Sequence, residues 1–182
     1  ADDPSVDLDE TLGVLNDLVT AGKILHAGVS NWPAWRLADA IGRSLRPGIA
    51  RPLVAQTRYS LLHREAERDL LALAQSERVA VFAYNTLYGG LLVDGSQSPV
   101  HGGRPEVAVA LDQIARSLRR PLAQIAYSWA LTRPGLTGIV VGASRPEQLE
   151  APLQALEDPL DESTLRGLDE LTPPWLGLVP AP

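Results

Sequence analysis

The chain has 182 residues, 45% of them apolar, enough for one domain with a sizeable core. Its net charge of −6, with sixteen Lys and Arg scattered rather than clustered, argues against a nucleic-acid partner. The absence of cysteine leaves no disulfide framework or thiolate nucleophile, three separated histidines give no metal-ligand set, and no apolar run is long enough to span a bilayer.

The acidic start ADDPSVDLDE has neither the basic region nor the apolar core of a signal peptide, so a cytoplasmic location is the expectation. Leu8, Leu12, Leu15, Leu18 and Val19 recur at helical spacing, with Asp7 and Glu10 as a capping pair and Gly22 as a stop. A short apolar run, Ile24 to Val29, then predicts a strand that carries His26 and ends in Ser30-Asn31. The stretch from Pro33 to Leu45 predicts a helix with Trp35, Leu37, Ala38 and Ile41 on its apolar side.

Leu53 to Gln56 predicts the next strand and Arg64 to Ser76 the next helix. Val79 to Tyr84 is a nearly continuous apolar strand, the pattern of a parallel strand buried on both faces. A Gly-rich connection from Asn85 to about Arg104 is long enough to suspect function. Two helices follow, Glu106 to Leu118 and Pro121 to Thr132, and then a strand from Gly138 to Gly142. Pro146 to Leu156 and Asp161 to Leu171 close the pattern as helices, the latter capped by Asp161. Residues 1–171 read as a single domain and 172–182 as a Pro-rich, irregular tail.

About four strands alternating with helices predict an α/β fold with a parallel sheet, and no strand is followed by the Gly-x-Gly-x-x-Gly fingerprint of a Rossmann site. In such folds chemistry gathers at the carboxyl ends of the strands. Those ends read Ser30-Asn31, Gln56-Thr57-Arg58-Tyr59, Tyr84-Asn85-Thr86 and Ala143-Ser144-Arg145. Their amides and hydroxyls suit a planar amide, Tyr84 can stack on a ring, and the backbone at Gly89-Gly90 can approach a phosphate.

In this order, over essentially the whole chain, the motifs Gly22-Lys23-Ile24 with Gly28-Val29-Ser30-Asn31-Trp32, Val54-Ala55-Gln56, Ala83-Tyr84-Asn85-Thr86-Leu87 with Gly89-Gly90-Leu91-Leu92, Pro121 to Ala126, and Ile139 to Ala143 with Arg145 to Glu150 resemble the aldo-keto reductase superfamily. The resemblance implies half of a (β/α)8 TIM barrel, four βα units plus an extra C-terminal helix, from a family that binds NADP(H) and reduces carbonyl substrates. It implies that Ser30, Asn31 and Gln56 hold the nicotinamide carboxamide and that Tyr84 stacks on its ring. Asn85, Thr86, Leu87 and Gly89 would follow the pyrophosphate and ribose. Gly142, Ala143, Ser144, Arg145 and Gln148 would surround the adenosine 2′-phosphate, although Ser144 stands where a basic residue is frequent and the family's adenine-contacting Glu-Asn pair falls on Ala151-Pro152.

The resemblance also implies that the family's catalytic Asp, Tyr, Lys and His precede the first residue, so no catalytic residue is assigned. Tyr59 and Tyr88 are weighed as replacement acids and set aside as packing. Four strands leave two parallel edges open, from which self-association or a complementary half-barrel is expected. Three readings stand: the cofactor-binding half of a reductase, a redox-inactive half-barrel acting in binding or assembly, and a half-barrel using Arg58, Tyr59, Tyr84 or Arg145 in a cofactor-free reaction. Ser30-Asn31 has a second reading as the cap of the following helix, and Trp32, Trp35, Trp129 and Trp175 read as packing anchors, with Trp32 a possible pocket wall.

Overall fold

The structure, a computed structural model, describes residues 5–93 and 105–174. His101, Trp175, the rest of the tail and the far part of the connection to Arg104 lie outside the described residues. The elements are α1 (Leu8–Thr20), β1 (Ala27–Ser30), α2 (Ala34–Arg43), β2 (Pro52–Arg58), α3 (Leu70–Ser76), β3 (Ala80–Tyr84), α4 (Pro105–Leu118), α5 (Leu122–Leu131), β4 (Gly138–Ile139), α6 (Glu150–Glu157) and α7 (Glu162–Leu171). The four strands pair in sequence order, all parallel, as expected for consecutive βα units of a partial (β/α)8 barrel.

The two faces of the sheet have different surroundings. Ala55, Val81 and Ala83 point toward the helices and join Leu37, Ile41, Leu71, Ala74, Ile125 and Trp129 in one buried cluster. Burying each large aliphatic side chain of that cluster contributes about 1.5–3 kcal/mol. The opposite face, with Val54, Gln56, Phe82 and Tyr84, is only half-buried. The apolar run Val79–Tyr84 is therefore covered by helices on one face only, because the other face looks into the open side of the partial barrel. α5 is the reverse case, buried continuously from Leu122 to Ala130, which explains why its sequence carries no charge and, besides apolar and aromatic residues, only Gln124 and Ser128.

Caps behave as elementary electrostatics requires. The Asp7 carboxylate accepts the Asp9 N–H at 2.7 Å, and the Asp161 carboxylate accepts the Thr164 N–H at 2.8 Å. After α1 the chain turns through Gly22 at φ 67°, while Lys23 and Ile24 donate back to the Leu18 carbonyl. Those bonds keep Ile24 to His26 out of the sheet. β1 starts only at Ala27, Leu25 is 83% exposed, and His26 lies in the irregular connection before β1 instead of on a strand.

Three further expectations are corrected. α2 buries Ala34, Leu37, Ala40 and Ile41, so Trp35 (67% exposed) and Ala38 lie outside its apolar face; Trp35 is no anchor, whereas Trp32 and Trp129 are buried. The helix expected from Arg64 is a 3-10 turn (Glu65–Arg68), broken at Asp69 (φ −155°), followed by the short α3. The last strand keeps two residues of the five expected; Val140 N–H still reaches the Ala83 carbonyl at 2.7 Å, but beyond it no neighbouring strand holds the chain extended. Thr172, a bend just after α7, is fully buried with its hydroxyl on the Leu168 carbonyl at 2.7 Å.

Candidate functional site

Two asparagines shape the strand ends. Asn31 after β1 and Asn85 after β3 both adopt the left-handed region, at φ 57° and 56°, a conformation that Asn tolerates better than other non-glycine residues. Asn31 donates its N–H to the Gln56 carbonyl at 2.8 Å, and its Oδ1 accepts from the Arg58 N–H at 3.3 Å and the Tyr84 hydroxyl at 3.1 Å. It thus bridges β1, β2 and β3 in one knot. Neither Ser30 nor Asn31 caps α2, whose N-cap is Pro33 without a side-chain bond. The capping alternative therefore does not account for them.

Asn85 organises the next turn in the same way. Its Oδ1 accepts the Gly89 N–H at 2.7 Å and its carbonyl accepts the Tyr88 N–H at 2.8 Å. Gly90 N–H is taken by the Leu87 carbonyl, so neither glycine amide is left over for an anion. What both glycines provide is positive φ (66° and 95°) with open space around their Cα atoms.

Below these turns the chain forms a cleft of about 830 Å³, within the range of small-molecule sites. Tyr84, Asn85, Thr86 and Leu87 from the β3 end meet Gly142 and Gln148 from the β4 end, with Arg58, Gly90, Tyr127, Glu147 and Ala151 completing much of the wall. Ser30 and Gln56 line a neighbouring cavity of about 490 Å³ on the open face of the sheet, together with Trp32 and Phe82. Asn31 lines neither of these but a third cavity of about 650 Å³, with Thr57, Arg58 and His63. The Gln56 side-chain amide spends no hydrogen bond within the described chain. Gly89, Ala143, Ser144 and Arg145 do not line either cavity.

Thr86 tests whether a polar ligand suits the cleft. Its side chain is 3% exposed, yet Oγ1 has no hydrogen-bond partner. A buried hydroxyl left unpaired costs about 1–3 kcal/mol, and a ligand oxygen in the cleft would relieve it. The residues present therefore fit a polar, extended ligand such as a dinucleotide at the β3 end. At the β4 end, Gln148 Oε1 is already used by the Ser144 N–H (2.7 Å) and hydroxyl (3.2 Å) and by the Arg145 N–H (3.2 Å). Gln148 holds its own loop.

The tyrosines weighed as acids are structural. Tyr59 is fully buried, stacks on Trp129 at 5.4 Å, and donates its hydroxyl to Glu67 at 2.5 Å. Burial and then the Glu67 carboxylate push its phenol well above the ordinary range, so it is a poor proton donor. Tyr88 is 3% exposed. Around Tyr59, Arg64 pairs with Glu67 (2.7 Å) and Asp169 (2.9 Å), donates to the Thr172 carbonyl (2.8 Å) and lies over the Trp129 ring. This network ties the β2 loop to α5 and α7. It was not legible in the sequence, because Arg64 and Asp169 are 105 positions apart and each alone reads as a solvated surface charge. Tyr127 was also missed, although its place one helical turn after Ala123 puts both on the same face of α5.

Among the described residues there is no cluster of His, Asp and Glu able to hold a metal, and no helix long and apolar enough to cross a membrane.

Comparison with known proteins follows the same lines. A family model described as the aldo/keto reductase family matches residues 1–173. The chain is 29% identical to an uncharacterized oxidoreductase, YrpG, of Bacillus subtilis over 91% of this chain and 54% of that protein. It is 27% identical to a norsolorinic acid reductase, stcV, of Emericella nidulans over 94% of this chain and 46% of that protein. A crystal structure of a thermostable aldo-keto reductase, Tm1743, bound to the inhibitor epalrestat is similar at a TM-score of 0.76 and 31% identity, covering 93% of this chain and 56% of that one. The chain thus spans about half the length of the curated relatives it matches.

Proposed function

The chain belongs to the aldo/keto reductase family, and from that premise we propose that it is the part of a carbonyl reductase that binds a nicotinamide dinucleotide, of the kind the family generally uses as NADP(H). The observation that carries this reading is the meeting of Tyr84, Asn85, Thr86, Leu87, Gly142 and Gln148 on one cleft, with the unpartnered Thr86 hydroxyl in its wall. When bound, the dinucleotide supplies hydride to a carbonyl carbon. The chain's own residues bind and orient it: the free amide of Gln56 and the remaining Nδ2 proton of Asn31 suit a carboxamide, and the Tyr84 hydroxyl held by Asn31 Oδ1 supports a role for its ring in orienting the nicotinamide. Neither Tyr59 nor Tyr88, both buried and outside the lining of the cleft, is assigned as the proton donor to the developing alkoxide, a role the family resemblance gives to side chains other than those of this chain.

The half-buried sheet face and the outer edges of β1 and β4 support a second element of the proposal, closure by a complementary half-barrel or by a second copy. The replacement of the adenine-contacting pair by Ala151-Pro152 favours the redox-inactive assembly reading as the alternative. Calorimetric titration with nicotinamide dinucleotides, with mass in solution measured on the same samples, separates the two. Saturable micromolar binding that weakens several-fold in Thr86→Val, with no loss of stability, supports the cofactor reading. A folded oligomer that binds no dinucleotide refutes it and leaves the assembly protein.

A further inference from the structure

The cavity of about 650 Å³ that Asn31 lines shares only Arg58 with the dinucleotide cleft and only Trp32 with the cavity on the open face. We infer that it is a second small-molecule site and that it takes a zwitterion, an α-amino acid with an apolar side chain. A local break in the chain opens it. The helix expected from Arg64 forms only a 3-10 turn, stops at Asp69 and restarts as α3 at Leu70, which leaves the space between the first turn of α2 and the start of α3 unfilled. Thr57 has the strand parity of Ala55 and so faces the helices, on the opposite side of β2 from Gln56. The volume falls within the range of small-molecule sites.

Charges of both signs stand around this cavity without meeting. Glu65, Arg68 and Asp69 line it, and none of their side chains makes a hydrogen bond or ion pair within the described chain. Asp69 holds the N-cap position of α3, where a carboxylate ordinarily accepts a helix N–H, yet it makes no cap bond. Carboxylates accept from an ammonium group and a guanidinium forks onto a carboxylate, so these groups match the two ends of a zwitterion. Arg58 and Arg68 balance Glu65 and Asp69, and an ion of one sign would be repelled by half of them. Thr57 and His63 complete the polar wall, and neither side chain has a hydrogen-bond partner within the described chain. Burial holds the His63 imidazole below its ordinary range, against Glu65 and with Arg58, so near neutral pH the ring offers one donor and one acceptor. The remaining wall, with Trp32, Ala34, Ala66 and Leu70, is apolar and suits a hydrocarbon side chain.

The test is calorimetric titration of the full chain with L-leucine, N-acetyl-leucine and leucine amide. Leucine should saturate the chain with a Kd of about 1 mM or tighter. The two blocked forms each lack one charge and should bind at least about tenfold more weakly. Arg68→Ala and Asp69→Ala, both at exposed positions, should each weaken leucine binding at least about fivefold, with far-UV circular dichroism checking that the fold is kept. No saturation by leucine below about 20 mM overturns the site. A blocked form that binds as tightly as leucine overturns the zwitterion, as does saturable binding of sorbitol in place of leucine. Leucine binding unmoved by both substitutions overturns its placement in this cavity.

Discussion

Replacing Arg64 by Met removes a cation whose side chain is 6% exposed while keeping most of its stem volume. Glu67, 20% exposed, then loses the donors at 2.7 and 2.8 Å on its two oxygens and keeps only the Tyr59 hydroxyl. The Thr172 carbonyl loses its side-chain donor, and Trp129 loses one of the two guanidinium groups over its ring. Asp169 is less affected, since Arg133 and the Trp129 N–H still hold it and it is 35% exposed. Stripping one partner from a buried ion pair costs about 3–5 kcal/mol, and the remaining contacts of Asp169 place this variant near 3 kcal/mol. For a chain of this size that is a fall in Tm of roughly 6–12 °C. Urea unfolding followed by circular dichroism reads the loss directly, with m unchanged if the native state is kept. Adding Glu67→Gln removes the stranded carboxylate and should return about 1 kcal/mol or more. A loss below about 1 kcal/mol, or a double variant no more stable than the single one, refutes the claim that this network joins the β2 loop to α5 and α7.

Gly135 holds φ +82°, and a Cβ there would stand 2.9 Å from the Leu71 carbonyl oxygen, so Gly135→Ala should destabilise by about 2 kcal/mol or more in the same denaturation assay. The Ser163 hydroxyl, with the N–H and hydroxyl of Thr164, holds the Asp161 carboxyl down to about 2. Because this folded value lies below the unfolded one, the cap's contribution is full above about pH 4 and is lost as pH falls toward 2; Asp161→Asn should flatten that part of the acid-unfolding curve. Thr86→Val should leave stability unchanged or slightly raised, since it deletes an unpaired buried hydroxyl, while weakening dinucleotide binding; a stability loss above about 1 kcal/mol would show that the hydroxyl is paired in the free protein.

The sequence alone determined the order of strands and helices, because apolar period and cap chemistry are local: Asp7 and Asp161 cap where their spacing predicts, and Val79–Tyr84 contains β3. It also determined the family, since the strand-end motifs survive in order along the chain. Tertiary structure decided what depends on neighbours. β4 is short because only β3 pairs with it; α2 rotates Trp35 outward because Leu37 and Ile41 have a sheet to cover; the inner face of β3 is half-buried because the described chain puts nothing over it. The same holds for the cleft. That Tyr127, Glu147 and Thr86 share one wall is a statement about three elements far apart in the chain, and the packing of α5 against β4 and α6, beside the β3–β4 pair, brings them together. Period and spacing act over a few residues, whereas a site is closed by contacts that no local pattern records.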